Sequence, residues 1–193
     1  MDNGFFKIIE LRQGTTEWLE WRHNGIGASD APSIMGENPY KSYNQLLFEK
    51  RGSARDSKKN KAMIIGTKLE PEARSRYILQ KGIKVNPVCV QSTSYDWLRA
   101  SLDGLSLNRN AAVEIKCGQS VYRRSSRSGT VPEYYYGQLQ HILAVTNLNE
   151  LDFFCYWPGL PELLFTVKRN DDYIKRLLLE ERNFWEQVNK ISC

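Results

Sequence analysis

The sequence predicts an α/β (α+β) fold in which helices flank a small mixed β-sheet. Three observations support this prediction. Helix-start signals cluster in the first 52 residues, β-rich segments dominate residues 83–117 and 150–168, and an amphipathic stretch runs from about 170 to 189. Neither an internal repeat nor a linker of biased composition interrupts the chain, so residues 1–193 are expected to form a single domain.

Helices are expected on both sides of the sheet segments. Thr15, Ser29 and Ser42 are side chains suited to N-capping, and each precedes a short segment that stops at or near a glycine. A polar, basic loop follows over 53–60, and Pro71 predicts a kink or a restart in the next helix. The predicted helices span residues 16–24, 30–36, 42–52, about 60–81, a segment containing 135–143, and about 170–189.

Strands follow from short runs of alternating or apolar residues bounded by turn formers. The turn-forming residues 108–110 separate two of them and predict a hairpin. The predicted strands span residues 83–91, 97–101, 103–107, 111–117, 150–157 and 162–168.

An acidic motif stands within this predicted hairpin. Glu114 and Lys116 alternate with Val113 and Ile115, so the two charged side chains share one face of the strand. Asp103, across the turn, can meet Glu114 at a divalent cation such as Mg²⁺. Lys116 can then orient or deprotonate the attacking water, or stabilise charge on a phosphate. The alternative is an exposed strand face that carries a chance ion pair.

Composition narrows the class of protein. Lys and Arg number 27 against 22 Asp and Glu, and the net charge of +5 suits a polyanionic partner. No signal-like or membrane-spanning apolar run is present, so a cytoplasmic protein without a membrane segment is expected. The four cysteines are scattered without a Cys-x-x-Cys pair, so reduced thiols are expected rather than zinc, disulfide or iron–sulfur sites. They are Cys89, Cys117, Cys155 and Cys193.

Seven short sequence blocks follow one another along the chain. They are WLEWR (18–22), GIGASD (25–30), MGENPY (35–40), GTKLE (66–70) with AR (73–74), SLDG (101–104), EIKC (114–117) and YYGQLQ (135–140). In these blocks and in their order, the chain resembles the phage-type alkaline exonucleases, the lambda exonuclease and YqaJ-type viral recombinase family of the PD-(D/E)xK nuclease superfamily. The resemblance implies a restriction-endonuclease-like core. Leu102 departs from the commonest family form, which has proline before the aspartate, but no ligand is lost.

The resemblance implies a catalytic metal site. Asp103 and Glu114 would be metal-binding carboxylates, the backbone carbonyl of Ile115 a further ligand, and Lys116 the catalytic lysine. Glu70 matches the helical glutamate that completes a site for two Mg²⁺ ions, with Mn²⁺ as a substitute. Without the resemblance, Glu70 reads as a solvated carboxylate on a helix.

The resemblance also implies roles around the metal site. Gln138 matches a glutamine that can hold the nucleophile or a phosphate, although by itself it reads as a surface residue. Arg22 and Ser29, with Ser101, match a pocket for the 5′-terminal phosphate of the digested strand. A helix N-terminus and an arginine suit such an anion, and an ordinary cap beside a surface arginine is the alternative. Trp18 and Trp21 belong to this stretch but are expected in the core.

Two further segments are candidates for DNA contacts. Arg123, Arg124 and Arg127 are expected in a basic loop after the catalytic strand, where they could contact the DNA backbone or simply be solvated. Met63, after the lysine-rich residues 58–61, matches apolar residues that wedge between the strands at a duplex end. Buried helix packing is the alternative for Met63.

Together these expectations describe a Mg²⁺-dependent 5′→3′ exonuclease that acts on double-stranded DNA ends and leaves 3′ overhangs for recombination by annealing. The resemblance further implies a ring-shaped homotrimer, a single-strand annealing protein as partner and a phage or prophage source. Two alternatives are an endonuclease or restriction-like member of the same superfamily and a noncatalytic DNA-end-binding module. The second would be expected to lack part of the acidic motif, which is complete here.

Overall fold

The computed structural model describes residues 4–52 and 61–190, so the polar loop predicted over 53–60 lies outside the described residues, as does Cys193. The helices are α1 (Thr16–His23), α2 (Ala31–Ile34), α3 (Tyr43–Arg51), α4 (Lys61–Lys81), α5 (Gln119–Ser128), α6 (Tyr136–Thr146) and α7 (Asp171–Asn189). The strands are β1 (Phe6–Ile9), β2 (Ile26–Gly27), β3 (Val85–Ser92), β4 (Leu98–Ser106), β5 (Ala112–Lys116), β6 (Glu150–Cys155) and β7 (Leu163–Lys168).

The described strands form one mixed sheet in the order β1-β3-β4-β5-β6-β7, and the short β2 pairs with β4. The β5–β6 and β2–β4 pairs are parallel, whereas the others are antiparallel. The chain passes through α5 and α6 between the parallel strands β5 and β6, as a crossover connection requires. The predicted mixed sheet flanked by helices is therefore confirmed.

Helices cover both faces of the sheet. On one face, Leu139 and Leu143 of α6 are fully buried in a core that includes Leu102 and Phe153. Side chains of adjacent strand residues point to opposite faces, so Phe154 lies on the other side. There it packs with Ala73 and Tyr77 of α4. The sheet is thus held between α6 and α4.

Local signals position the N-terminal helices as expected. The Thr15 side chain accepts a hydrogen bond from the backbone N–H of Trp18 at the start of α1. Ser42 and Gln45 form a reciprocal capping box at the start of α3. The helix predicted after Ser29 is shorter, because residues 28–30 form a 3₁₀ turn before α2. None of the helices within residues 4–52 and 61–190 has the length and apolarity needed to span a membrane.

The structure corrects two expectations about where elements begin and end, and it adds two short strands. One strand, β4 (Leu98–Ser106), replaces the two strands predicted over 97–101 and 103–107, because Leu102 is fully buried and pairs with Val88 in register. Helix α4 continues through Pro71 without a restart, since Ala73 and Tyr77 beyond it are anchored in the core. The strands β1 and β2 were not predicted from their short segments.

The predicted basic loop after β5 is also wrong, because residues 119–128 form helix α5. Val121, Tyr122 and Ser125 face the interior at helical spacing, which leaves the arginines outside. Gly129 ends the helix in a left-handed conformation with a φ of 67°.

Candidate active site

Two adjacent antiparallel strands bring the acidic motif together. Asp103 lies on β4 and Glu114 on β5, where Gly104 pairs with Val113. One carboxylate oxygen of Asp103 accepts a hydrogen bond from the backbone N–H of Ile115 at 2.8 Å. Gly104 is required at this crossing, because a Cβ there would lie 2.7 Å from the side chain of Val113. The glycine therefore lets the two strands approach closely beside the acids.

Glu114 is the centre of a buried polar cluster. Its Oε1 atom accepts from Lys116 Nζ and from Gln138 Nε2, each at 2.6 Å. Lys116 Nζ lies 3.5 Å from Gln138 Oε1 and 4.7 Å from the ring centre of Tyr135. Glu114 is only 3% exposed and Gln138 9%, so neither the exposed ion pair nor the surface glutamine considered above describes them.

The positive charge of Lys116 is stabilised by these neighbours. Burial alone would lower the pKa of the lysine, but the carboxylate of Glu114 outweighs it, helped by Tyr135 and Asp103. The net effect raises the pKa of Lys116 above its ordinary value. This surrounding favours the charged form of Lys116, which suits orienting water or stabilising charge on phosphate.

Helix α4 supplies Glu70 at the edge of this cluster. Gly66, one turn earlier, lets the helix lie against β5, since a Cβ there would be 3.2 Å from the Cys117 carbonyl oxygen. Arg74 links the two parts of the site, because it donates to the carboxylate of Glu70 and to the Asp103 carbonyl oxygen. Glu70 is thus half-buried and held in place, unlike a solvated helix carboxylate.

The three acids influence one another. Burial, followed by the charges of Glu114 and Glu70, raises the pKa of Asp103 well above its ordinary value. Burial also raises the pKa of Glu70, against the lowering effect of Arg74 and with a further raising effect of Glu114. Negative charge is therefore concentrated here, and a cation would relieve the repulsion.

The donor atoms present fit Mg²⁺. Within residues 4–52 and 61–190, no three His, Cys, Asp or Glu side chains are placed so that they could hold an ion by themselves. Mg²⁺ does not need such a cage, because one or two carboxylates with water and substrate phosphate are its usual ligands. The carboxylates of Asp103 and Glu114 line the same cleft and supply this minimum.

The residues expected to hold a phosphate also lie together. Arg22 on α1 donates to the Ser29 hydroxyl at 2.5 Å, and its guanidinium stacks on the Trp18 ring with 5.3 Å between the charge centre and the ring centre. The Trp18 indole N–H donates to the Ser101 hydroxyl oxygen at 2.8 Å. Ser29 is exposed and Ser101 is half-buried. These four side chains form one connected polar group at the end of α1.

A buried ion pair supports this group from behind. The Lys50 ammonium of α3 lies 2.8 Å from an Asp30 carboxylate oxygen. It also donates to the backbone carbonyls of Arg22 at 3.0 Å and Gly25 at 2.7 Å. The second contact of Asp30, from the Gly27 N–H at 3.0 Å, fixes the turn that carries Ser29. Lys50 thus joins α1, the turn and α3.

One cleft of about 130 Å³ contains both groups of residues. The acids and the serine–arginine group therefore face the same space. The lining residues are Trp18, Trp21, Arg22, Gly27, Ala28, Ser29, Arg99, Ala100, Ser101, Asp103, Glu114 and Gln138.

Other candidates lie outside this cleft. Met63 is 47% exposed at the start of α4, beside the similarly exposed Ile64 and Ile65, so buried helix packing is wrong for it. Its role as a wedge stays a prediction. Arg123 and Arg124 are exposed on α5, outside the lining of the cleft.

The structure adds site residues that sequence reasoning missed. Trp18 and Trp21 are half-buried and line the cleft, so the expectation that they belong to the core is wrong. Arg99 also lines the cleft, where its guanidinium stacks on the Trp21 ring at 5.4 Å. Arg74 has a signal in the sequence, because it belongs to one of the resembling blocks. Arg99 has none, because only the fold brings it to Trp21.

Solved structures share this fold. The structure of an alkaline exonuclease from Laribacter hongkongensis is 27% identical in sequence, with a TM-score of 0.80 over 90% of this chain and 92% of that one. A complex of the same enzyme with dAMP matches equally well. A phage-related exonuclease from Haemophilus somnus 129PT has the same fold at 10% identity, with a TM-score of 0.62 over 85% of this chain and 93% of that one.

Sequence relatives are longer than this chain. The uncharacterized protein YqaJ of Bacillus subtilis (strain 168) is 27% identical over 174 residues, which are 88% of this chain and 54% of the relative. An uncharacterized protein of Acanthamoeba polyphaga mimivirus is 25% identical over 161 residues, 76% of this chain and 29% of that protein. The chain therefore spans about half or less of these relatives. Since the model of the YqaJ-like viral recombinase domain matches residues 17–149, this chain belongs to that family.

Proposed function

We propose that this protein is a Mg²⁺-dependent exonuclease that digests double-stranded DNA from 5′ to 3′ and leaves 3′ overhangs for recombination by strand annealing. The observation that carries the proposal is the single cleft in which Asp103 and Glu114 face Arg22, Ser29 and Ser101. A carboxylate site that cuts and a cationic pocket that holds a phosphate are thus side by side. Such an arrangement suits removal of nucleotides from an end.

The cutting site contains the parts needed for phosphodiester hydrolysis. Asp103 and Glu114 would hold a metal ion together with the Ile115 carbonyl, and Glu70, which lies outside the lining of the cleft, would complete the site for a second ion. The metal, when bound, would lower the pKa of water and neutralise charge on the phosphate. Lys116 Nζ lies 2.6 Å from a carboxylate oxygen of Glu114, so its positive charge stands beside the carboxylates that would hold the metal. It thereby stabilises negative charge on the phosphate as the bond to the leaving oxygen breaks.

Gln138 has a positioning role in this proposal. Its amide nitrogen donates to Glu114, and its amide oxygen lies 3.5 Å from Lys116 Nζ, so it orients both charged groups. The same amide lines the cleft and can hydrogen-bond a water or a phosphate oxygen there.

The proposed direction of digestion rests on the phosphate pocket. A 5′-terminal phosphate carries more charge than an internal diester, so Arg22 would favour it. Ser29 and Ser101 add hydroxyl groups, and the Trp18 indole fixes the Ser101 oxygen. A strand held by its 5′ phosphate presents its next phosphodiester to the adjacent carboxylates. The related alkaline exonuclease was solved with dAMP, a nucleoside monophosphate of the kind that stepwise digestion releases.

Further features of the proposal concern assembly and context. We propose a closed ring around the duplex, with three subunits as the family resemblance implies. Arg123 and Arg124 would contact the DNA backbone, and Met63 would separate the strands at the duplex end. A single-strand annealing protein is the proposed partner. The proposed setting is the bacterial cytoplasm, with a phage or prophage as the source.

The decisive experiment is digestion of a linear duplex labelled at either the 5′ or the 3′ end, with Mg²⁺ or with EDTA. We expect immediate release of the 5′ label as mononucleotide and late release of the 3′ label, only with the metal. Closed circular duplex is the control and should stay intact. Cleavage of the circle would favour an endonuclease, and early release of the 3′ label would reverse the proposed direction.

A further inference from the structure

A second cavity, of about 380 Å³, lies apart from the cleft that holds the acids and shares none of its lining residues. Two tyrosine rings and two carboxylates dominate its wall. The lining residues are Glu37, Val131, Glu133, Tyr134 and Tyr136.

A row of aromatic rings connects this cavity to the catalytic lysine. The Tyr135 ring centre lies 4.7 Å from Lys116 Nζ and 4.5 Å from the ring centre of Tyr134. The Tyr134 ring in turn meets Tyr40 edge-on at 5.8 Å. Tyr40 is 78% exposed. The row therefore runs from the half-buried lysine to the surface, along the edge of the second cavity.

Positive charge borders the same rings. The Arg124 guanidinium stacks on Tyr134, with its central carbon 5.3 Å from the ring centre. Arg123 and Arg127 are also exposed on helix α5. Aromatic rings beside arginines are the combination that binds unpaired nucleic acid, because bases stack on the rings while phosphates meet the cations.

The two acids in the wall decide which part of a nucleotide can enter. Glu37 and Glu133 would repel a phosphate, but their carboxylate oxygens can accept hydrogen bonds from the amino groups of bases. The Glu37 carboxylate is held in place by the Tyr173 hydroxyl, which lies 2.8 and 2.7 Å from its two oxygens. A nucleotide with its base in the cavity and its phosphate towards Arg124 keeps the phosphate away from the two acids and brings the amino group of the base within their reach.

We infer that this cavity binds an unpaired base of a DNA strand, with Tyr134 as the stacking surface, Tyr40 as its outer extension and Arg124 as the phosphate contact. The inference rests on the proposed function only in taking DNA as the substrate. The cavity is separate from the residues that hydrolyse the phosphodiester or hold the terminal phosphate. Only the Tyr135 ring lies between Tyr134 of the cavity and Lys116, a spacing that suits a nucleotide of a strand already separated from its complement.

The test measures binding without hydrolysis. Fluorescence anisotropy in EDTA would compare a short labelled oligodeoxycytidylate with an abasic oligonucleotide of equal length. The wild-type protein should bind the base-containing probe more tightly. Tyr134→Leu should weaken that binding by about 5- to 100-fold and leave the abasic probe unaffected, because stacking is lost. Tyr134→Phe, which retains the ring, should bind both probes as the wild type does.

Two further variants keep the test independent of folding. Tyr40→Leu changes an exposed ring and should weaken binding of the cytidylate probe in the same direction. Phe48→Leu is the matched control, because Phe48 is 81% exposed on α3 and belongs to neither cavity. Equal affinity of the wild type for both probes, or unchanged binding by Tyr134→Leu, would overturn the inference. Neither result depends on hydrolysis. If the protein digests DNA but does not bind the base-containing probe more tightly, the inference about this cavity is refuted while the proposed exonuclease function stands.

Discussion

The buried ion pair behind the phosphate pocket gives a prediction whose magnitude follows from the structure. Asp30 and Lys50 are 2.8 Å apart, with side-chain exposures of only 8% and 7%. Burial alone would raise the pKa of Asp30, but the charges of Lys50 and Arg22 outweigh it and lower the pKa to about 2. We expect Asp30→Asn to destabilise the fold strongly, because it leaves the lysine buried without its partner.

Two estimates bound the effect. A fall of the Asp30 pKa from 3.8 to about 2 on folding corresponds to about 2.5 kcal/mol of stability at neutral pH. Removal of one partner of a buried pair typically costs about 3–5 kcal/mol. Asp30→Asn should therefore lower the free energy of unfolding by about 3 kcal/mol. Lys50→Met in the same chain should restore part of this loss, since the unpaired charge is then gone.

The assay is urea unfolding of the wild type and Asp30→Asn between pH 7 and pH 3. Because folding lowers the pKa of Asp30, its contribution is complete above about pH 4 and is lost as the pH falls towards 2. The difference in the free energy of unfolding between the wild type and Asp30→Asn should therefore shrink as the pH falls below about 4. Glu49→Gln is the control, since Glu49 lies on the same helix as Lys50 but pairs with Lys41, before the helix, at the surface, where such a pair is worth at most about 1 kcal/mol. A loss below about 0.5 kcal/mol for Asp30→Asn at pH 7 would refute the reasoning.

Three further predictions concern chemistry, end recognition and pH. Lys116→Ala and Asp103→Ala should each reduce hydrolysis by at least about 100-fold while circular dichroism shows an intact fold, and calorimetry should show weaker Mg²⁺ binding only for Asp103→Ala. Near-wild-type turnover by either variant would show that the site is assigned wrongly. Arg22→Ala should slow digestion of 5′-phosphorylated duplex by about 10- to 100-fold and erase its advantage over 5′-hydroxyl duplex, and equal initial rates on both ends with the wild type would leave the pocket unsupported. Burial opposes a charge on the fully buried His141, but the Glu181 carboxylate, 2.6 Å away, outweighs it and raises the pKa of the histidine. The stability that His141 contributes is therefore complete below its ordinary pKa of 6.5 and is lost as the pH rises through the raised value, so His141→Gln should destabilise the fold more at pH 6 than at pH 9 in urea unfolding. A larger loss of unfolding free energy for His141→Gln at pH 9 than at pH 6 would contradict this pH dependence.

Patterns with local causes were predictable from the sequence. The caps of α1 and α3 depend on side chains within three residues of the helix start, so Thr15 and Ser42 were enough to predict them. The alternation around Glu114 and the turn at 108–110 likewise predicted that Asp103 and Glu114 would be neighbours across a hairpin. Helix α5 was missed, although Val121, Tyr122 and Ser125 have helical spacing, because its arginines and serines suggested a solvated loop.

The sequence by itself determined the mixed fold, the family and the chemical types of the site residues, because these depend on periodicity and on motifs of a few residues. Only the tertiary structure decided that Glu114 is buried beneath Lys116 and Gln138, and that Arg22 and Ser101 face the same cleft as Asp103. It also decided that Trp18 and Arg99 line this cleft. Burial and contact between residues far apart in the chain depend on how the helices and strands pack, and no local pattern encodes that packing.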